Sequence, residues 1–193
     1  MEIQAGMKGV ELANERHIPL VVMEPIKGGS LASLPEDVTQ MFKDYNPKAT
    51  LVSWALRYVG TLPGVKVILS GMSTMEQVEN NVDTFVHYQN LSQEELDIVN
   101  KVANTLHSRT QNGCTGCAYC MPCPFGVNIP NNFRYWNNCF IYDDRDTFQG
   151  KYENMSDDEK ASNCKECGAC ERMCPQQLPI REDLKKVAKE FEK

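Results

Sequence analysis

The sequence predicts an α/β segment over residues 1–108, followed by a small, helical, cysteine-rich domain over residues 109–193. Two apolar runs of strand length, LVVM at 20–23 and VKVIL at 65–69, alternate with segments of helical periodicity. Strand alternating with helix predicts a parallel sheet, and continuous apolar strands are typical of sheets buried on both faces. All nine cysteines lie beyond residue 113, so the second part is expected to have its own chemistry.

In the first part, helices are predicted from apolar spacing and from N-cap signals. An apolar stripe predicts a helix over 2–15, and turn residues break the chain at 24–30. A second stripe predicts a helix over 48–59. Ser73 and Ser92 each stand three residues before a Glu, which is a capping-box signal for two more helices.

The cysteines form two blocks with the spacing of iron–sulfur ligands. Two residues separate successive cysteines in both blocks, except that the last gap of the second block has three. The second block, with the Pro that follows it, is the C-x2-C-x2-C-x3-C-P run of a [4Fe–4S] ferredoxin, and the first is one residue shorter. The eight candidate iron ligands are Cys114, Cys117, Cys120, Cys123, Cys164, Cys167, Cys170 and Cys174.

The fourth cysteine of each block is predicted to bind the cluster of the other block, as in two-cluster ferredoxins. One cluster is then expected to be held by Cys114, Cys117, Cys120 and Cys174. The other is expected to be held by Cys164, Cys167, Cys170 and Cys123. Gly116 and Gly168 are expected to let backbone amides approach cluster sulfur, which helps to set the reduction potential.

Zinc and disulfides are the alternatives to iron–sulfur clusters. A zinc ribbon binds one tetrahedral ion with two separate C-x2-C pairs. Each block instead has four cysteines in succession, with three consecutive Cys-to-Cys gaps, which tetrahedral zinc does not need. A disulfide framework is typical of exported chains with an even number of cysteines, whereas this chain has nine and starts with MEIQAGMKGV, without an apolar signal. The spacing therefore favours iron–sulfur over zinc. Cys139 lies outside both blocks and is expected to be a buried small hydrophobe.

Charge and hydropathy limit the expected partners. A formal net charge of −6 leaves no basic stripe for phosphates, so no nucleic-acid partner is expected. No run of eighteen apolar residues occurs, so no membrane span is expected. Thiols at metal-ligand spacing without an export signal predict a cytoplasmic location. An acidic surface would suit a basic redox partner protein.

The second part is predicted to be a small core of helices around the blocks. The segment between the blocks is rich in aromatic residues: Phe133, Tyr135, Trp136, Phe140 and Tyr142. Ser156 is expected to begin a helix that leads to the second block. A terminal helix is predicted from apolar residues at 184, 187, 188 and 191.

Two stretches of the first part resemble the aldo/keto reductases. LVVMEPIKGGSLA, and the run from WALRYVGTLPGVKVILSGMS through TMEQVENN, are similar to the last βα units of that family, and the Cys blocks resemble its branch with a C-terminal ferredoxin module. The resemblance implies a C-terminal fragment of a (β/α)8 TIM barrel followed by an α-helical, ferredoxin-like dicluster domain. It also implies hydride transfer from NAD(P)H in the complete enzyme. The family's catalytic tetrad comes from the first half of the barrel, so no catalytic residue is assigned on this chain.

The resemblance further implies contacts to the nucleotide cofactor in the loops after the two strands. Four residues match the pyrophosphate loop: Pro25, Ile26, Gly28 and Gly29. Three residues match the adenosine-binding turn and helix: Ser73, Gln77 and Asn81. A plain strand-to-helix turn is the alternative for the glycine pair. No basic residue lies between Gly71 and Asn81, so the choice between NADPH and NADH stays open.

Together these observations predict an iron–sulfur oxidoreductase component that transfers electrons through two [4Fe–4S] clusters within an aldo/keto-reductase-like enzyme. A stand-alone electron carrier or subunit, and a truncated non-catalytic fragment, are the alternatives. The absent tetrad favours the carrier for this chain alone. The expected partners are a redox partner protein, the missing barrel half on another chain, or a second copy of this chain.

Overall fold

The computed structural model describes residues 6–192, where helices predominate over a sheet of two strands. The chain divides into two compact units, with the boundary between Thr105 and Leu106. Residues 2–5 of the helix predicted over 2–15 lie outside the described residues. Between residues 6 and 192, no helix is both long enough and apolar enough to cross a membrane.

The first unit combines two short strands with several helices. Its elements are α1 (Gly6–Glu15), β1 (Leu20–Val22), α2 (Glu36–Tyr45), α3 (Leu51–Thr61), β2 (Val65–Ile68), α4 (Met75–Val86) and α5 (Gln93–Ser108). β1 and β2 pair in parallel, with Leu20 opposite Val65 and Val22 opposite Ile68, so the predicted parallel pairing is confirmed. The described residues form no barrel, because their sheet has two strands.

One face of this sheet is open, so the prediction that both strands are buried on both faces is wrong. Val21 is 59% exposed and Val67 is 46% exposed. The two residues are opposite each other in the register, so they share the open face. Leu20 and Ile68 are half-buried, and α3 packs against β2. The apolar runs indicated the strands correctly but not how many layers cover them.

The core of the first unit is organised by α3. Trp54 is buried and contacts Phe42 of α2, with ring centroids 4.7 Å apart. Arg57 of α3 makes a two-pronged ion pair with Glu95 of α5, with nitrogen–oxygen distances of 2.7 and 2.8 Å. Burial by itself would raise the pKa of Glu95, but hydrogen bonds from Arg57 and Ser92 and the charge of Arg57 lower it below its usual value.

Two helical elements differ from the prediction. α2 does not appear in the prediction because its buried residues, Val38 and Phe42, form a single i, i+4 pair within ten residues. The helix predicted from Ser156 is a 3-10 turn over Asp157–Glu159, without a side-chain cap. Three successive acidic residues provide no apolar face that could hold a longer helix against the core.

The capping-box predictions are confirmed at one helix and shifted at the other. Ser92 and Glu95 exchange hydrogen bonds at the start of α5, with lengths of 2.9 and 3.2 Å. At α4 the N-cap is Thr74 rather than Ser73, and its partner is the side chain of Gln77. Thr74 and Gln77 have the same three-residue spacing as the predicted pair, one position later.

The second unit is helical and contains α6 (Ile129–Ile141), α7 (Arg145–Glu153), α8 (Ala169–Met173) and α9 (Ile180–Phe191). Its core includes Val127, Ile129, Phe133, Trp136, Phe148, Tyr152, Leu184, Val187 and Phe191. The predicted terminal helix and the aromatic core are therefore confirmed, although Phe140 is 37% exposed. Cys139 is buried within this core, as predicted.

Candidate metal centre

The two cysteine blocks have the same backbone conformation although their sequences differ. In each block, the residues on either side of the second Cys have positive φ. These residues are Gly116 (+72°), Ala118 (+62°), Glu166 (+54°) and Gly168 (+72°). Left-handed residues so close together curl the chain sharply. Each block can therefore wrap around a bound group.

Backbone amides point at the first sulfur of each block. The Gly116 N–H donates to Cys114 Sγ at 3.4 Å. At the equivalent place in the second block, the Glu166 N–H donates to Cys164 Sγ at 3.5 Å. The amide near sulfur in the second block thus belongs to Glu166, whereas Gly168 was the residue expected from the sequence.

The likeness of the blocks continues beyond the fourth cysteine. The Gly126 N–H donates to the carbonyl of Cys123 at 3.0 Å, and the Gln177 N–H donates to the carbonyl of Cys174 at 3.1 Å. Both donors again have positive φ, +85° at Gly126 and +52° at Gln177. A helix then begins six residues after the fourth Cys in each case, α6 at Ile129 and α9 at Ile180. The second unit is therefore a tandem repeat of block, turn and helix.

The chain that leads into the first block is tied to the helix that follows the second block. The Asn112 side chain accepts the N–H of Cys114 at 2.8 Å and donates to Asp183 Oδ2 at 2.5 Å. Asp183 lies on α9, three residues after Ile180. Asn137 of α6 holds the backbone of Asn112 from the other side, through bonds of 2.9 and 2.8 Å. All three polar side chains are buried.

The converse tie joins the second block to the helix that follows the first. The Asn163 side chain, directly before Cys164, donates to the carbonyl of Phe125 at 2.5 Å. The Asn132 side chain of α6 donates to the carbonyl of Glu159 at 2.8 Å. Asn132 is three residues after Ile129, which is the position that Asp183 has on α9. Each block is thus anchored against the turn and helix of the other.

Four thiols from both blocks line one cavity. These are Cys114, Cys117, Cys120 and Cys174, the set expected for one crossed cluster. The lining also includes the apolar side chains of Ile129, Phe133 and Leu178. A dry wall with thiol donors suits a cuboidal iron–sulfur cluster, whose potential depends on burial and on hydrogen bonds to sulfur.

The thiols that line this cavity differ in pKa. Burial raises the pKa of Cys114, and it raises the pKa of Cys120 to about 11. The backbone N–H of Tyr119 and the hydroxyl of Thr115 lower the pKa of the exposed Cys117. Buried thiolates are unfavourable without a nearby cation, and iron supplies that charge when the ligands are deprotonated.

The second set of thiols has the same pattern of exposure as the first, with three half-buried thiols and one exposed. Cys123, Cys164 and Cys170 pack against the core of the unit, whereas Cys167 is exposed. Burial raises the pKa of Cys170, and the neighbouring Cys164 adds to the effect. The bond from Asn163 to Phe125 holds the chain near Cys123 beside the chain near Cys164. Among residues 6–192, no group of three or more His, Cys, Asp or Glu is arranged to hold a single metal ion. A [4Fe–4S] cluster makes a different demand, because each of its four irons binds one thiolate.

In the first unit, the residues assigned to the pyrophosphate loop follow β1. Gly28 and Gly29 have φ of +62° and +96°, and a Cβ at either would meet nothing within 4 Å. Pro25 is buried and Ile26 is half-buried. The backbone at the glycine pair is therefore open to solvent, as both a phosphate loop and a plain turn require.

The residues assigned to the adenosine contact follow β2. Because β1 and β2 are parallel, these residues lie at the same end of the sheet as the loop after β1. The N–H groups of Ser73 and Thr74 donate to Gln77 Oε1 at 2.7 and 3.3 Å. Asn81 is buried and donates to Ser70 Oγ at 3.0 Å. Gln77 and Asn81 thus have local structural roles, and their nucleotide contacts stay a prediction.

The fold and the thiols of the second unit define an iron–sulfur module of the two-block kind. Residues 113–178 match the family model of the 4Fe-4S dicluster domain, so the chain carries a domain of that type. Such a domain indicates iron–sulfur electron transfer. Comparisons with curated proteins and with solved structures gave no match.

Proposed function

We propose that this protein transfers single electrons through two [4Fe–4S] clusters that are ligated crosswise by the two blocks. The observation that carries the proposal is the cavity that Cys174 shares with the first three cysteines of the other block. The reciprocal ties, Asn112 to Asp183 and Asn163 to Phe125, support the same crossing. Iron–sulfur clusters supply one-electron chemistry, and the chain supplies thiolates, amide donors and a dry wall.

The residues have separate roles in this proposal. The first cluster would be held by Cys114, Cys117, Cys120 and Cys174. The second would be held by Cys164, Cys167, Cys170 and Cys123. The amides of Gly116 and Glu166 would donate to ligand sulfur, which raises the reduction potential by stabilising the extra negative charge of the reduced cluster. A redox partner protein in the cytoplasm would deliver and remove the electrons.

Metal and sulfide content tests the proposal directly. Anaerobically reconstituted protein is expected to hold about eight iron and about eight acid-labile sulfide per chain, because two cuboidal clusters contain that number. Iron and sulfide assays on gel-filtered protein measure both. Zinc without sulfide would contradict the proposal.

The crossing is tested by removing the fourth cysteine of each block. Cys174→Ser is expected to alter the cluster of the first block, and Cys123→Ser is expected to alter the cluster of the second. Electron paramagnetic resonance of the reduced variants shows which signal changes. Cys139→Ala removes a buried thiol outside both blocks and is the matched control that should keep both clusters. Changes in the opposite assignment would mean that each block closes on itself.

We further propose that the first unit is the last part of an aldo/keto-reductase-like barrel that binds NAD(P)H only when the rest of the barrel is supplied. The parallel pairing of β1 and β2 supports this, because it brings the two candidate nucleotide loops to one edge. The open face at Val21 and Val67 favours the alternative, a carrier whose first unit docks a partner. Fluorescence titration with NADPH, with and without an upstream fragment, separates the two.

A further inference from the structure

The two repeats are equivalent in backbone but differ in charge. From Thr110 to Phe133 the sequence has no charged residue, so the first block and its turn are neutral. The second block contains Lys165, Glu166, Glu171 and Arg172. The four charges of the second block sum to zero, so a difference between the two cluster sites depends on where individual charges lie.

A buried carboxylate faces the first block but not the second. Asp183 is 4% exposed and binds Asn112, whose side chain holds the N–H of Cys114. The equivalent position on α6 is Asn132, a neutral amide that holds the chain before the second block. Asp183 also pairs with Lys186 at 2.7 Å, but the side chain of Lys186 is 60% exposed to solvent. Solvent therefore screens the negative charge of buried Asp183 less than the positive charge of Lys186.

Two arginines, Arg172 and Arg181, lie close to the second block. A Cβ at Gly168 would lie 3.8 Å from Nη1 of Arg172 and 3.8 Å from Cζ of Arg181. Arg181 is neutralised by Glu171, through contacts of 2.8 and 2.9 Å.

Arg172 and Lys165 differ from the two acidic residues of the second block, Glu166 and Glu171, which are both paired. Glu166 is neutralised by Lys185, with a nitrogen–oxygen distance of 2.7 Å. No ion pair within the described part of the chain involves Arg172. The positive charge of Arg172 therefore acts on the second block without a paired carboxylate.

We propose that Asp183 and Arg172 set the two clusters at different reduction potentials, with the first cluster lower and the second higher. This inference rests on the proposed function, since it requires both clusters. A negative charge near a cluster disfavours adding an electron, and a positive charge favours it. Neither Asp183 nor Arg172 is a ligand, so each acts on its cluster through its charge.

The first experiment is a redox titration of the reconstituted full chain, followed by electron paramagnetic resonance. The wild-type protein is expected to show two resolved reduction waves. Asp183→Asn should move the lower wave to a more positive potential and leave the upper wave in place. Lys186→Gln removes the exposed counter-charge and should move the lower wave further down. A purely structural role would not give opposite shifts in the two members of one ion pair. Opposite shifts would therefore show that charge sets the potential.

The second experiment addresses Arg172. Arg172→Gln should move the upper wave to a more negative potential and leave the lower wave in place. Because Arg172 is exposed, its shift should shrink as salt is raised, whereas the shift caused by the buried Asp183 should persist. Arg145→Gln is the matched control, since it removes an Arg that pairs with Glu190 between α7 and α9, and it should move neither wave.

The outcomes separate this inference from the proposed function. Coincident waves in the wild type, or a gap between the waves that neither Asp183→Asn nor Arg172→Gln narrows, would overturn the inference while both clusters remain. A Lys186→Gln protein whose lower wave stays in place or moves up would overturn the role of Asp183, even if Asp183→Asn fails to fold. Protein that takes up no iron and sulfide would overturn the proposed function, and this inference with it.

Discussion

At the scale of residues, the blocks depend on backbone conformations that most side chains disfavour. Ala118 and Gly168 occupy equivalent positions, each directly after the second Cys of its block, with φ of +62° and +72°. A left-handed conformation costs a residue with a Cβ about 1–2 kcal/mol, and glycine avoids that cost. The first block therefore contains strain at a position where the second has none.

The equivalence of these positions gives a reciprocal prediction. Ala118→Gly should stabilise the second unit by about 1 kcal/mol, and Gly168→Ala should destabilise it by about as much. The Gly168→Ala variant should still fold, because its new Cβ would meet its nearest neighbours at 3.8 Å, an ordinary contact. Urea denaturation of anaerobic samples, followed by circular dichroism, measures both effects. Shifts of the same sign in the two variants would contradict the equivalence.

The pair of Arg57 and Glu95 gives a prediction for pH. Because the pKa of Glu95 is lowered in the folded protein, the pair stabilises the fold above the unfolded pKa of about 4.3, and this stabilisation is lost as the pH falls through the folded pKa. Glu95→Gln should cost about 1.5–3 kcal/mol at neutral pH. The difference from wild type should disappear in acid, as urea denaturation across pH would show.

An exposed ion pair provides the control for that experiment. Asp157 pairs with Lys160 at 2.7 Å, but its side chain is 97% exposed. Asp157→Asn should leave the free energy of unfolding unchanged, because solvent screens the pair. A loss in Glu95→Gln that stays constant from neutral to acid pH would assign the effect to packing rather than charge.

At the scale of elements, the second unit is built from two block–turn–helix repeats that brace each other. Asn112 and Asn163 are the polar side chains that carry the bracing, one for each block. Hydrogen bonds to a charged group contribute about 1.5–3 kcal/mol, and burial makes an orphaned partner costly. The bond from Asn112 to buried Asp183 should therefore be the stronger brace.

Removing the braces should affect the two blocks separately. Asn112→Ala should destabilise the second unit by about 1.5–3 kcal/mol and speed the loss of the first cluster, because Cys114 loses its support. Asn163→Ala should act on the second cluster and cost less. Gln111→Ala is the control, because the exposed side chain of Gln111 donates to the nearby carbonyl of Arg109. Cluster loss into an iron chelator, with the signals resolved by electron paramagnetic resonance, is the measurement. Equal loss of both clusters in Asn112→Ala would contradict the crossed bracing.

Local signals in the sequence predict the blocks and most of the helices, but not the bracing. The Cys spacing is local, since two residues between ligands set their reach, and so are the caps at Ser92 and Thr74. Asn112 and Asp183 are 71 residues apart, and no periodicity links them. The repeat beyond the fourth Cys was missed because its turn uses Gly126 in one copy and Gln177 in the other. The shared C-P-x-x-(V/L)-x-I pattern was the available signal.

At the scale of the whole molecule, the first unit exposes apolar surface that a folded domain usually covers. Val21, Met23, Val67 and Leu69 are between 46% and 70% exposed. Both strands of the sheet also have a free edge, because the described sheet has two strands. Open edges beside apolar side chains favour pairing with another chain.

Self-association is therefore expected for the purified chain. Sedimentation velocity at rising concentration should show dimers or larger species, because apolar faces associate in proportion to the area that they bury. Val67→Lys should reduce the association by placing a charge on the open face, whereas Leu12→Lys on α1, at a residue 48% exposed, is the control. A monomer at all concentrations would contradict this expectation.

Carbonyl reduction needs catalytic groups that this chain is not expected to hold. Hydride transfer requires a bound nicotinamide next to a carbonyl, with a proton donor in reach. The first unit offers two loops at one sheet edge, and two of the side chains assigned to the nucleotide, Gln77 and Asn81, already have local partners. We expect no aldehyde reduction with NADPH or NADH by the purified chain. Activity that appears when an upstream fragment with the first six barrel strands is added would indicate a split enzyme, and steady turnover by the monomeric chain alone would show that this expectation is wrong. If the added fragment brings no activity while the clusters still exchange electrons with a redox dye, the chain acts as a carrier.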